Sequence, residues 1–274
     1  MKKLVGTGAF ILVCLVGILP AKGGTEIDVI DVPTARMLNK NEYSLNFRFY
    51  QAGGLLMVGQ AGLTEDLTIG ASYGGEGVIG TGKFKGNPEP TFSIKYKLAE
   101  EGEKTSFSLA VGYSGQGYGR YYGEGDRVDT DLEEGVVKDN CSFYQTNSLG
   151  FFLTVSKELK GFYLHGGINH SLEDDPGKSS ISAFLAADVQ LTPKIMVKLE
   201  YNDIFHGQIK YSELFNIDNI DSDQLYRKSG GEFNLGFRWQ YTPEFSLEFD
   251  LRDLTQCYPS SSNRIFRISY CGKF

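Results

Sequence analysis

Apolar and polar side chains alternate with a period of two through most of the chain from residue 43 onward. The first run covers residues 43–49, and further runs cover 55–63, 67–73, 92–98, 107–113, 149–155, 162–168, 181–191, 195–201, 233–241, 245–251 and 266–274. Because successive side chains of a β-strand point to opposite faces, these runs predict about twelve strands, each with one apolar and one polar face. We therefore predict an all-β fold, a transmembrane antiparallel β-barrel of about twelve strands that covers residues 43–274, with the even strand number of bacterial outer-membrane barrels.

The lengths of the connections separate a membrane barrel from a soluble β-sandwich, which also alternates. On one side of the predicted sheet the turns are short, at 64–65, 99–104, 158–160, 192–193 and 242–243. On the other side lie the long connections 74–90, 114–147, 171–180, 206–231 and 253–263, and only 51–54 is brief. Short turns at one rim and long loops at the other are typical of outer-membrane barrels.

Aromatic residues gather at two heights on the apolar faces. Tyr73, Tyr113 and Tyr201 fall at the outer ends of their strands, and a second set falls at the inner ends: Tyr43, Tyr96, Trp239, Tyr241, Tyr270 and Phe274. Two lipid–water interfaces select such girdles.

A membrane barrel also accounts for a hydrophobic content of only 41%, because every second strand residue would meet lipid.

The polar faces carry charged residues in the middle of the predicted strands. In a barrel these would line the lumen: Arg48, Lys95, Lys97, Lys198, Glu200, Arg238, Glu248, Asp250, Arg252 and Arg267. The set is mainly basic, which would favour small anionic solutes such as acidic sugars. The charges could instead pair with one another and close the lumen. We therefore expect a narrow channel for small solutes or an envelope-associated barrel, with a closed structural barrel that presents acidic surface loops as an alternative.

Both ends of the chain carry patterns of an exported outer-membrane protein. Residues 1–23 combine Lys2 and Lys3, an apolar run and a small-residue site at 21–23, which predicts a secretory signal peptide. At the other end, Phe266, Ile268, Tyr270 and Phe274 occupy alternate positions back from a terminal Phe. This pattern resembles the signal that the barrel-assembly machinery reads, so we expect that machinery, outer-membrane lipid and lipopolysaccharide as partners.

Residues 24–42 precede the first predicted strand and contain Pro33. They could form a periplasmic tail or fold back into the lumen as a plug, and the sequence does not choose between these two arrangements. A plug would favour a structural or partner-binding barrel over an open channel.

A lipid-modifying hydrolase is the rival class of function. Such a barrel would need a nucleophile and a base near the outer rim, which draws attention to His165, His170 and Ser171. Adjacent residues such as His170 and Ser171 point to opposite faces of a strand, and the chain has no G-x-S-x-G motif. We therefore expect neither an enzyme nor a cofactor.

Acidic residues cluster in two of the long loops, at 126–134 and 218–223. Neither cluster matches the spacing of a calcium-binding loop, so solvated charge is the expected role, with weak divalent bridging to lipopolysaccharide as the alternative.

A formal net charge of −7 also argues against a nucleic-acid partner. Cys141 and Cys257 lie in long outer loops, where a disulfide is possible in an oxidising envelope.

Val32 to Arg36, with the sequence VPTAR, is similar to the opening of a family of bacterial outer-membrane barrels. The Gly-rich stretches 70–77 and 110–118 add to this likeness, which spans roughly residues 30–170. Together they resemble the YjbH-type, exopolysaccharide-associated barrels. The resemblance implies an outer-membrane barrel and an envelope role, and it brings no catalytic motif.

Overall fold

The computed structural model describes residues 27–129, 134–139, 141–175, 181–216, 224–258 and 264–274. The predicted signal peptide, residues 1–23, lies outside these ranges. The described ranges contain no helix with the length and apolar composition of a membrane span.

Twelve long strands in the described part of the chain form one sheet. In chain order they are β1 (Glu42–Tyr50), β2 (Gly54–Gly62), β3 (Leu67–Glu76), β4 (Thr91–Ala99), β5 (Ser108–Ser114), β6 (Gly150–Leu159), β7 (Phe162–His170), β8 (Ser182–Thr192), β9 (Ile195–Asn202), β10 (Glu232–Gln240), β11 (Phe245–Leu251) and β12 (Arg264–Lys273).

Each of these strands pairs antiparallel with its neighbours in sequence, and the first strand pairs with the last. At this seam Tyr43 of β1 lies opposite Gly272 of β12, and Phe47 lies opposite Ile268. Every strand therefore has two partners, and the sheet closes into a barrel. The predicted fold class is confirmed.

The two faces of the barrel wall have opposite chemistry. On β8, Ser182 and Asp188 face inward and are each 1% exposed, whereas Leu185 faces outward and is 60% exposed. The same inversion holds around the ring, with exposed apolar residues that include Leu45, Met57, Ile69, Ile94, Leu153, Leu164, Ile168, Phe237 and Phe249. Among the described residues the closed barrel presents no open sheet edge to lipid, and its outer belt is apolar. These are the properties of a barrel that lies in a bacterial outer membrane.

Aromatic side chains form contacts at both rims of the belt. At the inner rim Tyr43 packs against Tyr270 and Phe274, with ring centroids 6.2 and 6.4 Å apart, and Trp239 packs against Tyr241. At the outer rim Tyr113 lies between Phe92 and Phe151, at 5.2 and 5.1 Å. Rings with an apolar body and a polar edge are stabilised at lipid–water boundaries.

The outer loops fold together into a cap. Its short strands are Lys85–Gly86, Tyr118–Tyr122, Arg127–Asp129, Glu134–Val137, Phe143–Thr146, Ile209–Lys210, Phe215–Asn216 and Leu225–Arg227, with one helical turn at Tyr211–Leu214. Tyr122, Phe143 and Phe215 form part of a buried cluster within the cap. The inner-rim turns carry no such structure, which matches the predicted difference between the rims.

A charge on the outer belt should destabilise the barrel. Phe237 lies outward on β10, between the aromatic rims, and we expect Phe237→Arg to lower the free energy of unfolding by about 2–4 kcal/mol. The matched control is Phe205→Arg in an exposed outer loop, with an expected loss of about 0–1 kcal/mol. Urea unfolding in lipid vesicles measures both. Equal losses would contradict the assignment of this belt to lipid.

Candidate functional site

A short hairpin formed by residues 27–34 occupies the lumen, and we call it the lumen hairpin. Thr34 N–H donates to the Ile27 carbonyl and Val29 N–H donates to the Val32 carbonyl, both at 2.9 Å, so the chain reverses at Ile30 and Asp31. Val29, Ile30 and Val32 are fully buried. Gly236 of β10 leaves room for this turn, because a Cβ there would lie 3.2 Å from the Ile30 Cδ1 atom.

The carboxylate of Glu200 holds the backbone of the hairpin tip. Its Oε2 atom accepts hydrogen bonds from the N–H groups of Ile30, Asp31 and Val32 at 3.0, 2.8 and 3.1 Å. The Oε1 atom accepts from Asn234 Nδ2 at 2.8 Å. Three successive N–H groups around one anion form a nest, an arrangement that stabilises the charged carboxylate.

Cations of the wall bind the carbonyl groups of the same turn. Lys198 Nζ donates to the Val29 carbonyl at 2.8 Å, and Arg48 donates to the Ile30 carbonyl at 2.8 Å. Arg267 donates to both carbonyls, at 3.3 and 3.2 Å. The backbone donors and acceptors of the tip are therefore matched by charged side chains of β1, β9 and β12.

Asp31 is the charged residue of the tip itself. Its carboxylate accepts from Arg48 at 2.7 Å, from Arg252 at 2.5 Å and from the Tyr118 hydroxyl at 2.8 Å. The two guanidinium groups also lie over the Tyr118 ring, at 4.5 and 5.3 Å from its centroid. Since Tyr118 belongs to the cap, Asp31 links the hairpin, the barrel wall and the cap.

The base of the hairpin is attached on the opposite side of the lumen. Lys95 Nζ donates to the carbonyls of Ile27 and Thr34 at 3.1 and 3.2 Å, and Thr154 Oγ1 donates to the Pro33 carbonyl at 2.9 Å. Residues 35–41 then lead back to the inner rim, where a Cβ at Gly62 would lie 2.2 Å from the Asn39 carbonyl oxygen. The tip of the hairpin therefore points toward the outer rim and its base toward the inner rim.

Ser156, His165 and Asp188 lie in the order of a hydrolytic triad. Ser156 Oγ is 2.7 Å from His165 Nδ1, and His165 Nε2 is 2.9 Å from Asp188 Oδ2. However, Ser156 Oγ also accepts the Ala35 N–H at 2.8 Å, and Arg36 forms an ion pair with Asp188. This group is buried beneath the segment that follows the hairpin, so it holds that segment in place rather than facing a substrate.

The other sequence-predicted lumen residues take part in ion pairs across the wall. Lys198 pairs with Glu248 at 2.7 Å, and Arg267 pairs with Asp250 at 2.9 Å and also with Glu248. Arg252 contacts Glu232 at 3.0 Å.

Two predicted cations lie away from these pairs. Lys97 lies at the inner rim, where it contacts Asp66 at 3.3 Å and Glu100 at 3.0 Å, and Arg238 is buried beside the cavity described next.

A cavity of about 160 Å³ remains beside the hairpin. It is lined by Ser44 and Arg238 near the inner ends of β1 and β10, and by Asn147 and Asn202 near the outer ends of the strands. Between these levels it follows the lumen faces of β1 to β4, with Lys95 and Asp31 on the hairpin side. The cavity therefore extends along most of the barrel height.

The rival catalytic residues are not brought together. His170 is exposed at the outer end of β7, and the Ser171 hydroxyl lies 3.4 Å from that of Ser148. Ser156 rather than Ser171 is the hydroxyl partner of His165.

Cys141 and Cys257, the candidates for a disulfide, are buried free thiols in the structure. Cys257 Sγ donates to the Gly231 carbonyl at 3.4 Å, and burial raises the pKa of both thiols.

Other predicted features lie on the outer surface or beyond the described ranges. Phe266, Tyr270 and Phe274 are exposed on the outer face of the last strand, and Ile268 shares that face. Asp131, Glu133 and the cluster at 218–223 fall outside the described residues. Within the described ranges, no group of three or more His, Cys, Asp or Glu residues could hold a metal ion.

Solved structures of similar shape are outer-membrane barrels. The KdgM porin is 5% identical in sequence to this chain, with a TM-score of 0.44. The matched region covers 85% of this chain and 99% of the KdgM porin chain. Omp33 of Acinetobacter baumannii (9%, TM-score 0.38) covers 85% of this chain and 97% of its own. Outer membrane phospholipase A from Escherichia coli is 10% identical, with a TM-score of 0.36, and the match covers 86% of this chain and 90% of the phospholipase chain. At these scores the likeness transfers no residue role or activity. No family model matches the chain, and no curated protein matches it.

Proposed function

We propose that this protein is a narrow outer-membrane channel for small hydrophilic solutes, and that the lumen hairpin is its constriction. The observation that carries this proposal is the cavity beside the hairpin, which is lined by polar as well as apolar groups and extends along most of the height of the closed barrel. A lumen of about twelve strands is wider than side chains alone would fill. The hairpin reduces that lumen to a passage along one side of the wall.

The contacts of the lumen charges limit the charge selectivity of such a channel. Arg48, Lys198 and Arg267 each contact a carboxylate, so they offer a passing ion little unbalanced charge. Lys95 binds two carbonyl groups instead, which supports a weak preference for anions over cations. The resemblance of residues 32–36 to exopolysaccharide-associated barrels would give the same passage an envelope role with a saccharide as its solute.

Planar-bilayer recording of the refolded protein tests the channel. We expect small, steady conductance steps in potassium chloride, and we expect Ser93→Trp to reduce them because Ser93 lines the cavity on β4. Phe92→Trp is the matched control, since the neighbouring side chain points to lipid and the substitution should leave the conductance unchanged. A refolded barrel that shows no steps, or equal effects of the two substitutions, would contradict the proposal.

A further inference from the structure

We infer that the cavity beside the lumen hairpin binds small polyhydroxylated solutes, a monosaccharide or a polyol, through hydrogen bonds rather than through charge. This inference rests on the proposed channel and names the class of solute that uses it. Three features of the cavity carry it: the neutral polar groups of its wall, buried polar atoms that have no hydrogen-bond partner, and the engagement of the nearby charges.

Hydroxyl and amide groups make up part of the cavity wall. Successive lumen-facing positions of adjacent strands supply Ser44 and Asn46 on β1, Gln60 on β2, Ser72 on β3 and Ser93 on β4. These groups both donate and accept hydrogen bonds. A solute covered with hydroxyl groups needs the same two capacities from its surroundings, so this wall could replace part of its hydration shell.

Buried polar atoms without a partner lie at two levels of the cavity. Thr68 Oγ1, Asn147 Nδ2 and Asn169 Oδ1 have no hydrogen-bond partner within the described chain, and all three residues line the cavity. Thr68 is 2% exposed near the inner end of β3, and Asn169 is 5% exposed near the outer end of β7. An unsatisfied buried polar group is destabilising, so these atoms favour a bound group that can hydrogen-bond to them.

These three atoms are of both kinds, one hydroxyl, one amide donor and one amide acceptor. A carboxylate could satisfy only the donors, and an ammonium group could satisfy only the acceptors. A hydroxyl group can satisfy either. The set therefore points to a polyol or saccharide, and water would occupy the same positions when no solute is present.

Most of the charged groups that line the cavity are already engaged by other groups of the protein. Asp31 is bound by Arg48 and Arg252, and Lys95 is bound to the two carbonyls at the base of the hairpin. A volume of about 160 Å³ is also small beside the roughly 300–1,000 Å³ of pockets that hold drug-sized ligands. The solute would therefore be small and would pass in single file.

Block of the ion current by added sugar tests this inference. With the refolded full chain in a planar bilayer, we expect glucose to reduce the potassium chloride current in a concentration-dependent way. Liposome swelling should show that glucose enters at least as fast as gluconate, its charged counterpart. The double substitution Thr68→Val with Asn147→Leu should weaken the glucose block about tenfold, the effect of losing about 1.4 kcal/mol of binding.

Ser182→Ala is the matched control, because Ser182 Oγ is also buried without a partner among the described residues but does not line the cavity. Glucose should block the current through this control variant as strongly as it blocks the current through the wild type. Ion conductance without a glucose block, swelling only with gluconate, or an unchanged block in the double variant would overturn the inference and leave the channel standing. A barrel that passes neither ions nor sugars would overturn both.

Discussion

Replacement of the lumen hairpin by a flexible linker should raise the single-channel conductance several-fold. In this variant residues 27–34 become a Gly/Ser segment of the same length. Most of the hairpin is buried, and it packs against wall residues of β1, β4, β6, β9 and β12, so its loss would leave a polar lumen that fills with water. Planar-bilayer recording measures the increase.

The control is the same kind of replacement in the inner-rim turn at 100–104, which lies outside the lumen. Heat-modifiable migration on a gel would establish that both variants form barrels. A folded hairpin variant with wild-type conductance would show that residues 27–34 do not limit the passage, and the constriction would then have to lie in the cap.

Substitution of the tip carboxylate should cost more stability than substitution of any surface acid. Asp31→Ala leaves the buried guanidinium groups of Arg48 and Arg252 without their shared partner, and removal of one member of a buried ion pair costs about 3–5 kcal/mol. If the hairpin is released and water enters the lumen, the two guanidinium groups become hydrated. This hydration limits how much the free energy of unfolding can fall. Urea unfolding in lipid vesicles measures it.

Asp66→Ala is the control for this measurement. Asp66 is about half exposed and pairs with Lys97 at 3.3 Å, so its removal should cost less than about 1 kcal/mol. Asp31→Asn should fall between the two, because the amide keeps the hydrogen-bonding shape and loses the charge. Equal losses for Asp31→Ala and Asp66→Ala would mean that the ion pairs of Asp31 stabilise the barrel no more than one surface ion pair does.

The barrel could be predicted from the sequence because one physical rule determines both of its faces. Alternate strand residues point in opposite directions, so the period of two that identifies β8 also separates Leu185 from Asp188. The structure also shows that β1 pairs with β12. When every pair of neighbouring strands is antiparallel, a closed barrel must have an even number of strands.

The lumen hairpin could not be predicted in the same way. Its main contacts join wall side chains to backbone N–H and carbonyl groups, as in the three bonds to Glu200, and such contacts leave no pattern of residue types. The sequence therefore left residues 24–42 open between a tail and a plug, and gave no signal for Asp31. Asp188 and Glu232 could have been predicted as lumen residues, because each occupies a lumen-facing position of its strand.

The long sequence separation between the hairpin and its wall partners has a consequence for the order of assembly. Each barrel strand pairs with a neighbour along the chain, but Ile30 bonds to Glu200 and Arg267, which lie 170 and 237 residues away. Contacts of such high contact order form slowly, because a long loop must close before they contribute. Docking of the hairpin tip requires both β9 and β12, so the narrow passage cannot be completed before most of the barrel wall has formed.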